Sequence, residues 1–323
     1  MSQRQDDKHR TTSPEQPGSG QRLSRRAVVR AGAIGAAGIA AAGSIAPGGA
    51  APRIRDQTVL RSAARLSQSE EGQRGGRLRV AATGQPAGLD MHLTNQRTIT
   101  MIGWQMFEAL FTFDGDYATV PMLAQGHEVS ADGLTHTITL RQGVPFHNGA
   151  EMVAADVIAS FNRWAPVSSL GLAISPSLDA ITEVDPYTVS IALTSPLVAL
   201  PSMLARQAQG LSIHPKSVID AAGTNPLTDE QYIGTGPYQF VERQADRFTL
   251  FRRFDGYVGV DSEPSGYAGR KAAYLDEIEF IPVPDEAARV AGLQSGEYHY
   301  LEEIIPDQIE VLGDDPAVTI EIL

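Results

Sequence analysis

Residues 232–240 read YIGTGPYQF, and Gly234 and Gly236 have the spacing of loops whose backbone amides wrap a phosphate. A dinucleotide fingerprint needs a third glycine and a helix opening from the loop. Here Pro237 follows at once, and Tyr238 and Phe240 alternate as in a strand. A phosphate loop would need Gly-Lys-Ser/Thr, which the chain lacks, so Gly234 and Gly236 read as a tight entry into a strand. Catalytic patterns are equally absent: there is no G-x-S-x-G elbow and no H-E-x-x-H. The seven histidines, at 9, 92, 127, 136, 147, 214 and 299, never fall three or four apart as helix-borne metal ligands do. Asp114 and Asp116 flank Gly115 without the glutamate of a calcium loop and read as a turn. Glu302-Glu303 and Asp314-Asp315 are sequence neighbours that point apart, as solvated surface would. No cofactor, metal or catalytic residue is implied.

Cysteine is absent, which excludes disulfides, thiolate metal sites and cysteine nucleophiles. The 323 residues suffice for one large or two ordinary domains, and 42% hydrophobic with 20% charged residues is ordinary for a globular chain. Residues 1–51 hold seven of the 26 Lys+Arg and three of the 38 Asp+Glu, leaving the body at 19 against 35. So acidic a body argues against nucleic acid or an anionic membrane surface as partner.

The elements that would position any site mix helices with strands, mostly as hairpins. Strands are expected at 77–82, around 128–130 and 135–140, at 181–184 and 188–193, at 211–213, across Tyr238–Leu250, and at Ile278–Phe280. Helical spacing marks 99–111, 154–164, 197–206 and 216–222. A further helix over 285–294 has an Asp at its start and Gly296 just past its end.

At the N-terminus, Arg25-Arg26 with Val28-Val29 precedes a weakly apolar run from Ala31 to Ala46, which is shorter than the ~20 residues that span a bilayer. This order reads as a secretory signal over 1–51 resembling the twin-arginine type, with Arg25 and Arg26 its key residues. A flexible leader over 52–76 would follow.

Beyond it, LRVAATGQPAGLDMHLT (78–94), FEALFTFDG (107–115), PMLAQGHEVSADGLTHTITLRQGVPFHNGAEMVAADVIASFNR (121–163), VDPYTVSIAL (184–193), IGTGPYQFVE (233–242) and AARVAGLQSGEYHYLEEI (287–304) keep a recognisable order. Together they resemble the extracellular solute-binding proteins of the peptide/nickel type, family 5. The resemblance implies a mixed α/β, type II periplasmic-binding-protein-like fold. Its first lobe would take 77–98 and 171–304, with an inserted subdomain at 99–170 and a crossover to a second lobe at 305–323. The chain stops about where that second lobe would begin, so this lobe is expected to be missing. The resemblance also implies a monomer that binds a small, often peptide-like solute without catalysis. It would serve an ABC permease in the membrane, after leaving the cytoplasm through the twin-arginine export machinery. The alternatives are a truncated lobe that does not transport, and a secreted hydrolase. Val153 stands where the family commonly has a helix-capping Thr, a loss of ~1 kcal/mol unless a neighbour substitutes.

Solute contacts are expected from loops at strand ends. The candidates are His92, Asn95 and Gln96 on the polar stretch after Leu89, Trp104 as a cleft wall, and Gln209 with Gly210 before Leu211.

Overall fold

Thirteen strands gather into three sheets in a computed structural model that describes residues 27–31 and 74–322. In chain order they are β1 (Ala27–Ala31), β2 (Arg77–Ala82), β3 (Phe111–Phe113), β4 (Thr119–Pro121), β5 (Ala124–Val129), β6 (Thr135–Leu140), β7 (Leu178–Asp185), β8 (Thr188–Leu193), β9 (Tyr238–Gln244), β10 (Phe248–Arg253), β11 (Glu277–Pro282), β12 (Tyr300–Leu301) and β13 (Val318–Ile322). Arg25, Arg26 and the leader up to residue 73 lie outside the described residues.

The large sheet runs β13-β1-β12-β2-β11-β10-β9. Its β13, β1, β12, β2 and β11 are parallel neighbours, and β9 and β10 add an antiparallel hairpin. Parallel neighbours need a crossover, and two helices supply it. Glu286–Ser295 links β11 to β12, and Pro306–Gly313 links β12 to β13. The first begins where Asp285 accepts the Ala288 amide at 2.7 Å, and it stops at Gly296, whose φ of 76° is left-handed. Leu293, Leu301, Ile304 and Leu312 fill the layer between these helices and the sheet. The opposite face buries Val80, Phe251, Ile278 and Phe280 against Met91, Ile102 and Phe107.

The small sheet, β5-β6-β8-β7, is antiparallel, as the alternation of Thr135–Leu140 requires: His136, Ile138 and Leu140 are buried on one face. The helix Ala154–Trp164 covers that face, placing Val157, Phe161 and Trp164 in the same core. Val153 has no polar side chain to accept the Asp156 amide, which donates to the Val153 carbonyl at 3.0 Å, while Asp156 Oδ2 accepts the Val153 amide at 2.9 Å, the reciprocal half of a capping box. Because β8 pairs with β6 over Thr188–Thr139 to Ala192–Thr135, the segment 178–193 joins this sheet. The segment lies beyond the bounds 99–170 expected for an inserted subdomain.

Three other elements differ from expectation. The 99–111 helix is only Arg97–Gly103, the 197–206 helix is Leu200–Leu204, and the 211–213 segment pairs with no strand among the described residues. Ile213 instead donates its amide to the Glu108 carbonyl at 3.0 Å. Met91 lies against Gly103, where a Cβ would come 2.8 Å from its Cγ, and the chain turns there to lay Gln105–Phe107 beside Gly234–Tyr238.

That close approach accounts for the two glycines. Gly236 N donates to Met106 O at 2.9 Å and Tyr238 N to Gln105 O at 3.0 Å. A Cβ on Gly234 would overlap the Met106 carbonyl oxygen, and one on Gly236 would lie 2.7 Å from Met106 C. His147 brackets the pair: its Nδ1 accepts the Gly234 amide at 3.2 Å and its Nε2 donates to the Gly236 carbonyl at 3.0 Å. Backbone cannot yield as a flexible side chain can, so Gly234→Ala is expected to lose about 2 kcal/mol or more of stability in urea unfolding. Gly126→Ala, with open space around its Cβ, is the control and should stay within about 0.5 kcal/mol of wild type.

Candidate functional site

A cavity of about 620 Å³ opens beside the helix Arg97–Gly103 and the turn that follows it. This volume lies in the range of small-molecule sites. One wall is Trp104, half-buried, whose Nε1 donates to the Gln207 carbonyl at 3.2 Å. Gly210 backs the indole: a Cβ there would stand 2.7 Å from Trp104 Cζ2. Thus Trp104 and Gly210 come together, with Gly210 setting the position of the ring.

The cavity floor carries a buried carboxylate. Glu108 accepts from Thr235 Oγ1 at 3.0 Å, Tyr257 Oη at 2.9 Å and Lys271 Nζ at 3.3 Å. Thr235 is the central residue of the Gly-Thr-Gly turn, so the turn's close packing also fixes a group at the cavity. Burial and the Glu108 charge push the Tyr257 hydroxyl well above its ordinary range, which keeps it a donor. At the rim, Arg97 and Arg270 are exposed and make no ion pair among the described residues. Glu302 lines the far side, 3% exposed. It does not fit the expectation of a solvated acidic pair: Glu303 points out, but Glu302 turns inward at the end of β12.

The remaining candidates sit elsewhere. His92 is fully buried and outside the cavity lining. Its Nε2 donates to Ser212 O at 2.8 Å and its Nδ1 accepts from Arg163 Nη1 at 3.2 Å, so both ring nitrogens are occupied and no solute reaches it here. Arg163 in turn holds Asp90 through bonds of 3.1 and 2.6 Å and donates to the Gly223 and Asn225 carbonyls. This buried latch joins the helix of the small-sheet core to the loop after β2. Burial alone would raise the Asp90 carboxyl, but the hydrogen bonds and charge of Arg163 hold it below its ordinary value. Burial pushes His92 down to about 4 against the pull of the Asp90 charge.

Asn95 and Gln96 are exposed and do not line the cavity. Gln96 precedes the helix Arg97–Gly103, its carbonyl accepting from Thr100 N at 3.0 Å and from Thr100 Oγ1 at 3.2 Å. Gln209 adopts a left-handed φ of 52°. It braces a neighbouring helix, accepting from Trp164 Nε1 at 2.8 Å and from Ser169 N at 3.1 Å. Sequence reasoning missed Glu108, Lys271 and Glu302. The signal for Glu108 was present in MFEALF, where a lone acid interrupts an apolar run. No cluster of three or more His, Cys, Asp or Glu suited to a metal occurs among the described residues.

Comparison with known proteins agrees with this architecture. A probable peptide ABC transporter periplasmic-binding protein of Sinorhizobium fredii is 32% identical over 223 residues, which are 68% of this chain and 41% of that protein. The glutathione-binding protein GsiB of Salmonella paratyphi A is 34% identical over 233 residues, 70% of this chain and 42% of its own length. The chain thus spans about two fifths of the length of these curated relatives. Among solved structures, the periplasmic binding protein DppA from Helicobacter pylori in complex with the peptide STSA superposes with a TM-score of 0.65 at 23% identity. That match covers 79% of this chain and 51% of DppA, and at such identity it speaks for the fold alone, the mixed α/β type II periplasmic-binding-protein architecture. Residues 118–322 match the model of the bacterial extracellular solute-binding proteins, family 5 Middle, and on these matches the chain belongs to family 5 of the bacterial extracellular solute-binding proteins.

Proposed function

We propose that this chain is the solute-binding component of an ABC importer for peptides or similar small solutes, holding its ligand without catalysis. The large sheet is read as the first lobe and the small sheet as its inserted subdomain. The cavity beside Trp104 is then the first lobe's share of a cleft. Export by the twin-arginine machinery to the periplasm, a monomeric state and delivery to a membrane permease complete the reading. The observation that carries it is the cavity itself. An aromatic wall lies beside the buried Glu108 and beside Glu302, which follows the C-terminal end of the parallel strand β12, where open α/β sheets bind ligands. The family membership and the peptide- and glutathione-binding names of the relatives supply the ligand class.

Any ligand that binds only the folded state raises the melting temperature by mass action. Full-length protein is therefore expected to melt higher, in a saturable way, with at least one of di-, tri- or tetra-alanine or glutathione. Trp104→Leu, which keeps an apolar side chain but loses the aromatic face, should weaken that ligand about tenfold, a step of ~1.4 kcal/mol. An unchanged melting temperature with every one of these solutes would contradict the reading.

A further inference from the structure

Residues 254–276 join β10 to β11 with neither helix nor strand. Connections longer than about 15 residues without structure of their own are uncommon in compact domains, and binding loops are the usual exception. Both ends of the central part, 258–270, are fixed at one point, because the side chains of Tyr257 and Lys271 reach the same Glu108 carboxylate. Between them the strap is thinly held. Only Ala268 and Gly269 in 254–276 are buried, so lifting it exposes little apolar surface. Its remaining ties to the rest of the fold are polar. Arg141, just past β6, donates through Nη2 to the Val258 and Gly259 carbonyls, each at 2.7 Å. Ser265 Oγ accepts the Gly115 amide at 3.0 Å, and Tyr267 donates its amide to the Phe113 carbonyl at 3.0 Å.

A cavity lies on each side of this strap. Tyr267, Arg270 and Lys271 wall the one beside Trp104. Asp261, Ser262 and Ser265 wall a second, of about 860 Å³, whose other lining includes Gln125, Arg141 and Gln142 and no aromatic residue. Ala268 lines both, so the strap is the partition between them.

We propose that the second cavity is an annex for the polar extension of a longer peptide-like solute, and that the strap 258–270 lifts to admit it. The groups that the strap now occupies are ones a peptide main chain can take over. Its carbonyls can accept from Arg141 and from the Gly115 amide, and its amides can donate to the Phe113 carbonyl. The exchange leaves no buried donor without a partner, which is the condition for an opening of small cost. A short solute fits the cavity beside Trp104 and leaves the strap in place. Solute length is thus read by a loop within this chain.

The inference rests on the peptide-binding reading, and the test separates the two. The chain has no cysteine, and a Cβ on Gly115 would stand 3.3 Å from Ser265 Oγ, so Gly115→Cys with Ser265→Cys can lock the strap by a single disulfide. Calorimetric titration would compare tri-alanine with the hexapeptides Ala-Ala-Ala-Ser-Ser-Ser and Ser-Ser-Ser-Ala-Ala-Ala on the same double variant, reduced and oxidised. Oxidation should weaken at least one hexapeptide about tenfold or more relative to tri-alanine, and reduction should restore it. A hexapeptide-to-tri-alanine ratio that is the same in both states would overturn the proposal, as would failure of the two cysteines to pair. Hydrogen exchange in unaltered protein reads the same motion independently. The Gly115 and Tyr267 amides should exchange at a different rate with the hexapeptide bound than with tri-alanine bound, and equal rates would overturn it. Binding of tri-alanine to wild type without binding of either hexapeptide would overturn the annex alone. Absence of binding by all three would overturn the peptide-binding reading and this inference with it.

Discussion

Asp90→Ala is expected to cost about 3–5 kcal/mol of folding stability, the largest effect of any single substitution considered for this chain. Asp90 and Arg163 are both buried, their side chains 6% and 4% exposed, and their ion pair closes at 2.6 Å. Removing the carboxylate leaves a guanidinium in the interior with only carbonyls and the His92 ring for partners. It also strips the acceptor from the His92 and Leu227 amides, each of which then lacks its hydrogen bond. The pair itself need not be strongly stabilising, because desolvation offsets much of its attraction. The double variant Asp90→Ala with Arg163→Met should therefore recover part of the loss, since no unpaired charge remains. Urea unfolding of the three proteins measures this. A loss below 1 kcal/mol in D90A would show that the latch does not join the two cores as described.

Stability is also expected to fall steeply as the pH drops from 6.5 to 4. His92 is neutral in the folded protein, with its ring held down to about 4, while the same ring in the unfolded chain takes a proton at its ordinary value of 6.5. Between these values the unfolded state binds the proton and the folded state does not, so acid favours unfolding. The stability present above pH 6.5 is lost progressively down to about 4, and below that both states are protonated and the loss stops growing. At ~1.4 kcal/mol per pH unit, His92 alone accounts for on the order of 3 kcal/mol across the window. His147, pushed by burial to about 4, and His214, pushed well below its ordinary value chiefly by burial, act with the same sign. Beside burial, the bonds of His147 also oppose a second proton. A proton on Nδ1 would face the Gly234 amide that this nitrogen now accepts. Asp90 adds a contribution of the same direction only at lower pH, because its carboxyl is held below 3.8. Urea midpoints at pH 7, 5.5 and 4 should show the decline, and His92→Gln should make it shallower. A flat profile between pH 7 and 4.5 would contradict the buried, neutral state of these rings.

Much of the architecture was legible in the residues. Thr135–Leu140 alternates because one face of β6 is covered by a helix and the other is not. The helix Ala154–Trp164 repeats its apolar residues at helical spacing because it lies on that sheet, and the helix after Asp285 carries its own start and stop. Pro237 was enough to turn the Gly-Thr-Gly stretch away from nucleotide chemistry, because a helix cannot open from that loop. The parts that escaped are those decided by distant partners. The 99–111 helix stops at Gly103 because Met91 and the Gly234–Tyr238 backbone occupy the space in which it would continue, an override of helical propensity by packing. His92 looked like a site residue on a polar loop, but its fate is set by Arg163, 71 positions away. Glu302 and Glu303 are indistinguishable as letters. Only the end of β12 beside Thr83 decides which of them turns inward.

Native mass spectrometry tests whether the cavity beside Trp104 holds a small peptide-like solute, as proposed. Full-length protein titrated with tri-alanine, tetra-alanine or glutathione under non-denaturing conditions would be compared with the same protein denatured. One saturable adduct per chain is expected with at least one of these solutes, lost on denaturation and diminished in Trp104→Leu. Identical masses in both states at saturating solute, in wild type and variant alike, would contradict it.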